Sequence, residues 1–415
     1  MAITTNLINN GSIVPQVTRL SNGWLVTAYL ASKNNYQLIY SNNEGVTWLD
    51  LCKLDAGTTS NPDFDYVISI KTILGNGTMV HVTGSYGDTN DNDRLFTCYF
   101  DATTILPTTN IYSSRSNGSS SPYTNVDFAK LMHGNYHYLQ TSMTEGSTSN
   151  TYYKRHASLT TTAAPNLGAA YVSGTSSDSA RNGASEVHAI ASGETWIIYG
   201  TSNILAVRRK LTLNGGLQAM QTVATLPVGH YIRRINAVEF NGTVYIFFSY
   251  LIANNTAPVL AYVTTTNGVS FSAVSVLLNS PFQSTSVQHL DFDVIVDGNS
   301  VGFLLAIPNG ANRLLYTGKF SAGILTIKST GLTVTNANGY TRSIHSVAIN
   351  NRLLYFIANL DNGSNLIKFN LDVEGIKMLV NGVWSNIEQG NRNNGATWQA
   401  QNGRQLVNGT WKEIT

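Results

Sequence analysis

The sequence predicts an all-β chain, a seven-bladed β-propeller with a small C-terminal β-hairpin module. Three observations predict it. A unit of two short strands joined by a polar turn recurs about every 50–60 residues, within the period of four-stranded blades. Helical periodicity is almost absent, and nine prolines together with many Asn-Gly pairs punctuate alternating strands. The chain has 415 residues, 42% of them apolar. Length alone would suggest two or three domains, but radial repetition accommodates this size in one architecture. An array of β-sandwiches is the alternative.

The turns define the units in order. They lie in Leu20–Tyr29, Leu74–Val82, Met132–Leu139, Ala191–Tyr199, Phe240–Phe248, Val296–Leu305 and Ile349–Ile357. Each carries Gly or Asn at its sharp point and runs into an apolar and aromatic return strand. Residues 11–375 are therefore assigned to the propeller and residues 1–10 to an N-terminal extension. Residues 376–415 differ: Lys377–Trp384 is echoed by Arg404–Trp411, each a strand, an Asn-Gly turn and an aromatic return. Hairpins of this size bury too little to stand alone, so they are expected to dock on the propeller, on each other or on another chain.

One turn is more specific. Ser41-Asn42-Asn43-Glu44-Gly45-Val46-Thr47-Trp48 joins two alternating strands. Asn43 can bond the turn's own N–H groups, Gly45 can take a positive φ, and Trp48 can cap the sheet edge. Thr264–Phe271 is a second, weaker copy. The pattern resembles the Asp box of sialidase-type β-propellers, with Asn where Asp is usual. That resemblance implies a box that ties outer strands together and does no chemistry. The repeated Leu-Val-Asn-Gly-x-Trp of the C-terminus resembles modules of bacteriophage and prophage tail proteins.

Composition narrows the function. Only 12% of residues are charged, about half the usual share of roughly 25%, and the net charge is +2. Asn, Ser, Thr and Gly must carry the surface, and no general attraction to nucleic acid or to an anionic membrane is implied. Cys52 and Cys98 are the two cysteines, which excludes a disulfide scaffold and favours two buried thiols over one bridge. The first residues lack a basic region followed by an apolar run, so no secretory signal is read, and no stretch has the roughly 18 apolar residues of a membrane span. Release by lysis or inside a particle is the expectation for a chain that works outside the cell.

The first strand of each blade should line the central channel with alternate residues. Aligning these strands on their turns gives an inward polar ring of Gln16, Ser69, Asp127, His188, Asn236, Asp291 and His345. A water-filled channel is the plainer reading of this ring, and a ligand or ion site the sharper one. Toward the mouth the same face carries Glu186, Arg234 and His289. Tyr123, Tyr231, Arg233, Tyr340 and Arg342 lie around them. Guanidinium forks match carboxylate and phosphate oxygens, and aromatic faces stack on sugar rings, so the mouth suits a glycan or sugar-phosphate. Ordinary surface ion pairs are the competing reading. The expected ligand contacts are Arg234, Glu186, His289, Arg342, Tyr340 and Tyr123.

The sialidase resemblance also implies an arginine before Ile-Pro near the start of the first blade. Here the matching place reads Ile13-Val14-Pro15, so the substrate-binding arginine is missing. Glycoside hydrolysis usually needs two carboxylates at fixed separation, or the family's tyrosine–glutamate pair. Glu186 with Tyr231, or Asp291 with Asp293, are the weak catalytic candidates. Asp291 and Asp293 would lie about 7 Å apart on one strand face. Asp88, Asn90, Asp91 and Asp93 form an acidic loop that could hold Ca²⁺, although the EF-hand spacing fails. No cofactor is otherwise expected.

The expectation is a non-catalytic, tail-associated receptor-binding protein of a virion. It would recognise a bacterial surface glycan such as a teichoic acid or polysaccharide, and join tail proteins or sister chains through its C-terminus. A glycan-cleaving depolymerase and a structural virion component are the alternatives.

Overall fold

The computed structural model describes residues 3–9, 16–32, 35–55, 68–87, 93–106, 110–112, 114–115, 123–133, 136–145, 148–156, 172–175, 185–189, 192–201, 203–212, 216–252, 258–279, 290–297, 300–309, 312–334, 344–349, 353–360, 363–370, 377–380, 383–386, 404–407 and 410–413. In some strands, among them Tyr123–His133, Ser185–Ala189 and Ile344–Ile349, only the backbone is described. The described secondary structure is all β, as the turn punctuation and alternation require. Contacts divide the chain into a large unit, Ala2–Leu371, and a small one made mainly of Asp372–Thr415.

In the large unit the strands form antiparallel meanders in chain order. After β1 (Ile3–Asn9), the first meander is β2 (Thr18–Arg19), β3 (Leu25–Ser32), β4 (Asn35–Ser41) and β5 (Leu49–Asp55). The second is β6 (Ile68–Asn76), β7 (Met79–Gly87), β8 (Asp93–Asp101) and, past β9 (Asn110–Tyr112), β10 (Ser114–Arg115). The short β9 instead pairs parallel with β5. The third is β11 (Tyr123–His133), β12 (Tyr136–Glu145), β13 (Thr148–His156) and β14 (Val172–Thr175). The fourth is β15 (Ser185–Ala189), β16 (Thr195–Thr201), β17 (Ile204–Lys210) and β18 (Gln221–Thr225). The fifth is β19 (His230–Phe240), β20 (Thr243–Ile252), β21 (Val259–Thr265) and β22 (Ser275–Asn279). The sixth is β23 (Asp291–Asp297), β24 (Ser300–Asn309), β25 (Asn312–Ser321) and β26 (Ile324–Val334). Next come β27 (Ile344–Ile349), β28 (Leu353–Leu360) and β29 (Gly363–Asn370), and a bridge between Val334 and Leu360 joins this last sheet to the sixth.

The stretch expected to be an N-terminal extension is a correction. β1 pairs antiparallel with β29, from Ile3 opposite Phe369 to Asn9 opposite Ser364. It supplies the outer strand of the last sheet. Pairing between the two ends of a unit is non-local, and no local turn signal announces it.

The turn-bearing stretches each join the first two strands of a meander. The pairs Thr18↔Val26, Asn76↔Met79, His133↔Tyr136, Ala189↔Thr195, Phe240↔Thr243, Asp297↔Ser300 and Ile349↔Leu353 flank them. The first strands then neighbour one another in chain order: β2 with β6, β6 with β11, and on through β15, β19, β23 and β27. β27 in turn contacts β2.

Packing lies between the faces of successive sheets. One cluster joins the fourth and fifth sheets through Trp196, Ile198, Val207, Ile232, Ile246 and Phe248. Another joins the fifth and sixth through Phe247, Leu260, Phe292, Phe303 and Phe320. There Phe247 meets Phe303 edge-on, with ring centroids 4.8 Å apart. Aromatic pairs of this kind add about 0.5–1.5 kcal/mol to the area they bury. Cys52 is fully buried in the core between the first and second sheets; the side chain of Cys98, on β8, lies outside the described residues.

The small unit holds two hairpins, β30 (Lys377–Val380) with β31 (Val383–Asn386), and β32 (Arg404–Val407) with β33 (Thr410–Glu413). Their registers coincide, with Leu379 opposite Trp384 and Leu406 opposite Trp411.

Candidate functional site

The two Asn boxes occupy equivalent places, each joining the third and fourth strands of its sheet, β4 to β5 and β21 to β22. In the first, the backbone N–H groups of Asn43 and Gly45 donate to Ser41 Oγ, at 3.4 and 2.7 Å. Thr47 N–H donates to Asn43 Oδ1 at 2.9 Å, and Asn43 Nδ2 returns a bond to Thr47 Oγ1 at 2.8 Å. Gly45 has φ +78°. Asparagine does the work of an aspartate here because Thr47 can accept from its amide. In the second, Gly268 N–H donates to Thr265 Oγ1 at 2.9 Å, and the N–H groups of Val269 and Ser270 both donate to Asn267 Oδ1 at 2.9 Å. This copy is one residue shorter between its Asn and its Gly.

The second box is tied to the neighbouring sheet. Arg209 on β17 donates to the Gly268 carbonyl at 3.1 Å and to both oxygens of Glu194, at 2.9 and 2.7 Å. Trp196 Nε1 donates to the same carboxylate at 2.8 Å, and the guanidinium lies over the indole at 5.6 Å. Gln221 Nε2 reaches the Val269 carbonyl. Burial opposes the charge on Glu194, but the hydrogen bonds from Arg209 and Trp196 and the charge of Arg209 outweigh it and hold the carboxyl below its ordinary value. A depressed folded-state pKa means that the unfolded chain binds more protons. The stabilisation is therefore full above the ordinary glutamate value and is lost as pH falls through the lowered one. Urea unfolding should show Glu194→Gln less stable by about 1–2 kcal/mol at neutral pH, with the gap closing on acidification. A gap independent of pH would contradict the ionised pair.

The predicted mouth is best defined between the fifth and sixth sheets. Arg234 on β19 and Asp291 on β23 form an ion pair, Nε to Oδ1 3.2 Å, with both side chains buried at 4% and 1% exposure. Arg313, the second residue of β25, lies at 4.0 Å from Asp291 Oδ2 and is wholly buried. Burial pushes the Arg313 guanidinium down to about 10; the charge of Asp291 opposes this and that of Arg234 adds to it. One turn of alternation further along, Asn236 Nδ2 donates to Asp293 Oδ1 at 2.6 Å, and Val294 N–H donates to the same oxygen at 3.1 Å. Ser249 Oγ donates to the Leu290 carbonyl at 3.0 Å, another link between these sheets.

These bonds revise the levels read from the sequence. Alignment on the turns sets Asn236 level with Asp291, and Arg234 with His289. The structure sets Asn236 beside Asp293 and Arg234 beside Asp291, a shift of two residues along β23 that alternation of side chains cannot detect. A bulge at Arg233 further changes which face the start of β19 presents: Ile232 pairs with Tyr250 and Arg234 with Ser249. Arg233 lies over the Tyr231 ring at 5.5 Å.

Of the other ring residues, Gln16 is buried beside β2, and its carbonyl accepts from Thr27 Oγ1 at 2.7 Å. Ser69, Asp127, His188 and His345 lie on the first strands β6, β11, β15 and β27, as do Tyr123 on β11 and Glu186 on β15, with backbone alone described. His289, Tyr340 and Arg342 lie outside the described residues, as do Asp88, Asn90 and Asp91; Asp93 begins β8. Among the described residues no group of three His, Cys, Asp or Glu is placed to hold a metal ion, and no helix is long and apolar enough to cross a membrane. Arg313 is not among the residues legible in the sequence, because it sits on the third strand of its sheet and not on a first strand. The one signal was an arginine leading the apolar run Leu314-Leu315-Tyr316.

No family model matches the chain, and no curated protein does. Among solved structures, a polysaccharide lyase is similar at a TM-score of 0.47 and 10% identity, over 88% of this chain and 91% of the other. A sialidase from Trypanosoma rangeli, solved with sialic acid, gives 0.45 and 9%, over 90% and 59%. The fucose-recognising lectin of Aleuria aurantia, a six-bladed β-propeller, gives 0.42 and 9%, over 81% and 99%.

Proposed function

We propose that the large unit is a closed seven-bladed β-propeller that binds a bacterial surface glycan at its channel mouth without cleaving it. The chain serves as a tail-associated receptor-binding protein of a virion, with its C-terminal hairpins joining tail proteins or sister chains. Closure is supported by the order of the first strands, which returns from β27 to β2, and by β1, which adds the start of the unit to its last sheet. Binding is supported by Tyr231, half-buried at the start of β19 with the Arg233 guanidinium over its ring, and by the uncharged Asn, Ser and Thr surface.

One observation carries the non-cleaving reading. Asp291 and Asp293, one of the two candidate catalytic pairs, are both engaged internally, one by Arg234 and Arg313 and the other by Asn236 and the Val294 N–H. A general acid must come within hydrogen-bond reach of the scissile oxygen, and a carboxylate at 1% exposure that is already paired with Arg234 is out of reach of a glycan. Co-sedimentation with envelopes from a panel of bacteria, before and after stripping teichoic acids and polysaccharides, tests the proposal. Binding to a narrow set of strains, abolished by stripping, is expected. Binding to none would overturn glycan recognition and favour a structural virion component.

A further inference from the structure

The Asn-Gly steps that build the turns are also the sites at which a chain most readily loses ammonia without an enzyme. The Gly N–H gives up its proton and its nitrogen attacks the Asn Cγ. The bond to Nδ2 breaks, ammonia leaves and a five-membered succinimide forms. Water then opens either ring C–N bond, giving Asp or isoaspartate. Two groups take part in this, the Gly nitrogen and the Asn side-chain carbonyl, and a hydrogen bond that holds either one slows it. The structure separates steps where both are held from one where neither is.

At Asn267–Gly268, Gly268 N–H is bonded to Thr265 Oγ1 at 2.9 Å, and Asn267 Oδ1 accepts from Val269 and Ser270. At Asn22–Gly23, Gly23 N–H is bonded to the Leu20 carbonyl at 3.0 Å and Asn22 Oδ1 accepts from Trp24 N–H at 3.1 Å. At Asn76–Gly77, Asn76 is half-buried and the Gly77 carbonyl accepts from Ser21 N–H at 2.9 Å. Asn241–Gly242 is different. It is the exposed tip of the β19–β20 hairpin, both residues have positive φ, +51° and +70°, and open space surrounds the Gly242 Cα where a Cβ would stand. The Asn241 side chain makes no hydrogen bond among the described residues.

We infer that Asn241 is a site of spontaneous deamidation, and that the hydrogen bonds of the second Asn box protect Asn267 from the same reaction. Each conversion adds one carboxylate. The isoaspartate product also inserts a methylene into the main chain of a two-residue turn, at the end of β19 far from Arg234.

Peptide mapping by mass spectrometry, after the intact protein is held at mildly alkaline pH, tests this. Asn241 should convert severalfold faster than Asn76, with Asn22 and Asn267 nearly intact. In Thr265→Val, which removes the hydroxyl but keeps the shape, Asn267 should become labile, while Thr265→Ser should leave it protected. An intact Asn241, or Asn267 converting as fast as Asn241 in the unaltered protein, would overturn the site assignment. An Asn267 that stays inert in Thr265→Val would overturn the protection mechanism.

Discussion

Asp291→Ala should lower the unfolding free energy by about 3–5 kcal/mol, the usual cost of leaving a buried charge without its partner. The carboxylate faces two guanidinium groups, and Arg313 has no exposure to water through which to recover. The loss should be shared rather than additive. A double-mutant cycle in urea that combines Asp291→Ala with Arg313→Met should show a coupling energy of about 0.5–3 kcal/mol, because the two side chains belong to one ion cluster. If Asp291→Ala unfolds at the same urea concentration as the parent, the ion cluster is not an internal lock. If Arg313→Met only adds to the damage, the two residues are not coupled.

Gly268→Ala should be of similar size, roughly 2–5 kcal/mol, from two sources that act together. The residue has φ +67°, which costs an L side chain about 1–2 kcal/mol. A Cβ there would stand 2.4 Å from Trp196 Cζ2 and 3.0 Å from the Arg209 guanidinium. Trp196 is buried at 1% exposure and pinned by Glu194, so the indole cannot move aside cheaply. The same change at Gly242, where φ is also positive but the space is open, should cost only the backbone part. Thermal unfolding of both variants separates the two sources. Equal losses would show that the contact with Trp196 does not constrain Gly268.

Local features were the most legible. Ser41–Trp48 announced its turn because every group that holds it lies within eight consecutive residues. The Asn-Gly hairpins were readable for the same reason. The inner strands were readable in part: polar residues alternating with apolar ones placed Arg234, Asn236, Asp291 and Asp293 on the correct strands. Their mutual level was not readable, because side-chain alternation repeats every two residues and a slip of two keeps every residue on its face. The bulge at Arg233 hid the rest, since an extra residue in β19 leaves no mark in composition. What sequence could not supply at all was pairing across long separations: β1 with β29, Arg313 with Asp291, and Arg209 with the Gly268 carbonyl.

Those non-local bonds also shape the functional proposal. The surface between β19 and β23, where Asp291 and Asp293 are committed to internal partners, is held rigidly, and under the proposed function that rigidity lowers the entropy lost on binding an extended glycan. It provides no free acid for hydrolysis between β19 and β23. Recognition and cleavage therefore predict different fates for the same polymer.

Size-exclusion chromatography of the stripped surface glycan, run alone and after prolonged incubation with the protein, distinguishes them in one measurement. The account predicts co-elution of protein and glycan ahead of either component, with the glycan at its original length once the protein is removed. Shortened glycan would contradict the non-cleaving assignment, and two separate peaks at their unshifted positions would contradict glycan recognition itself.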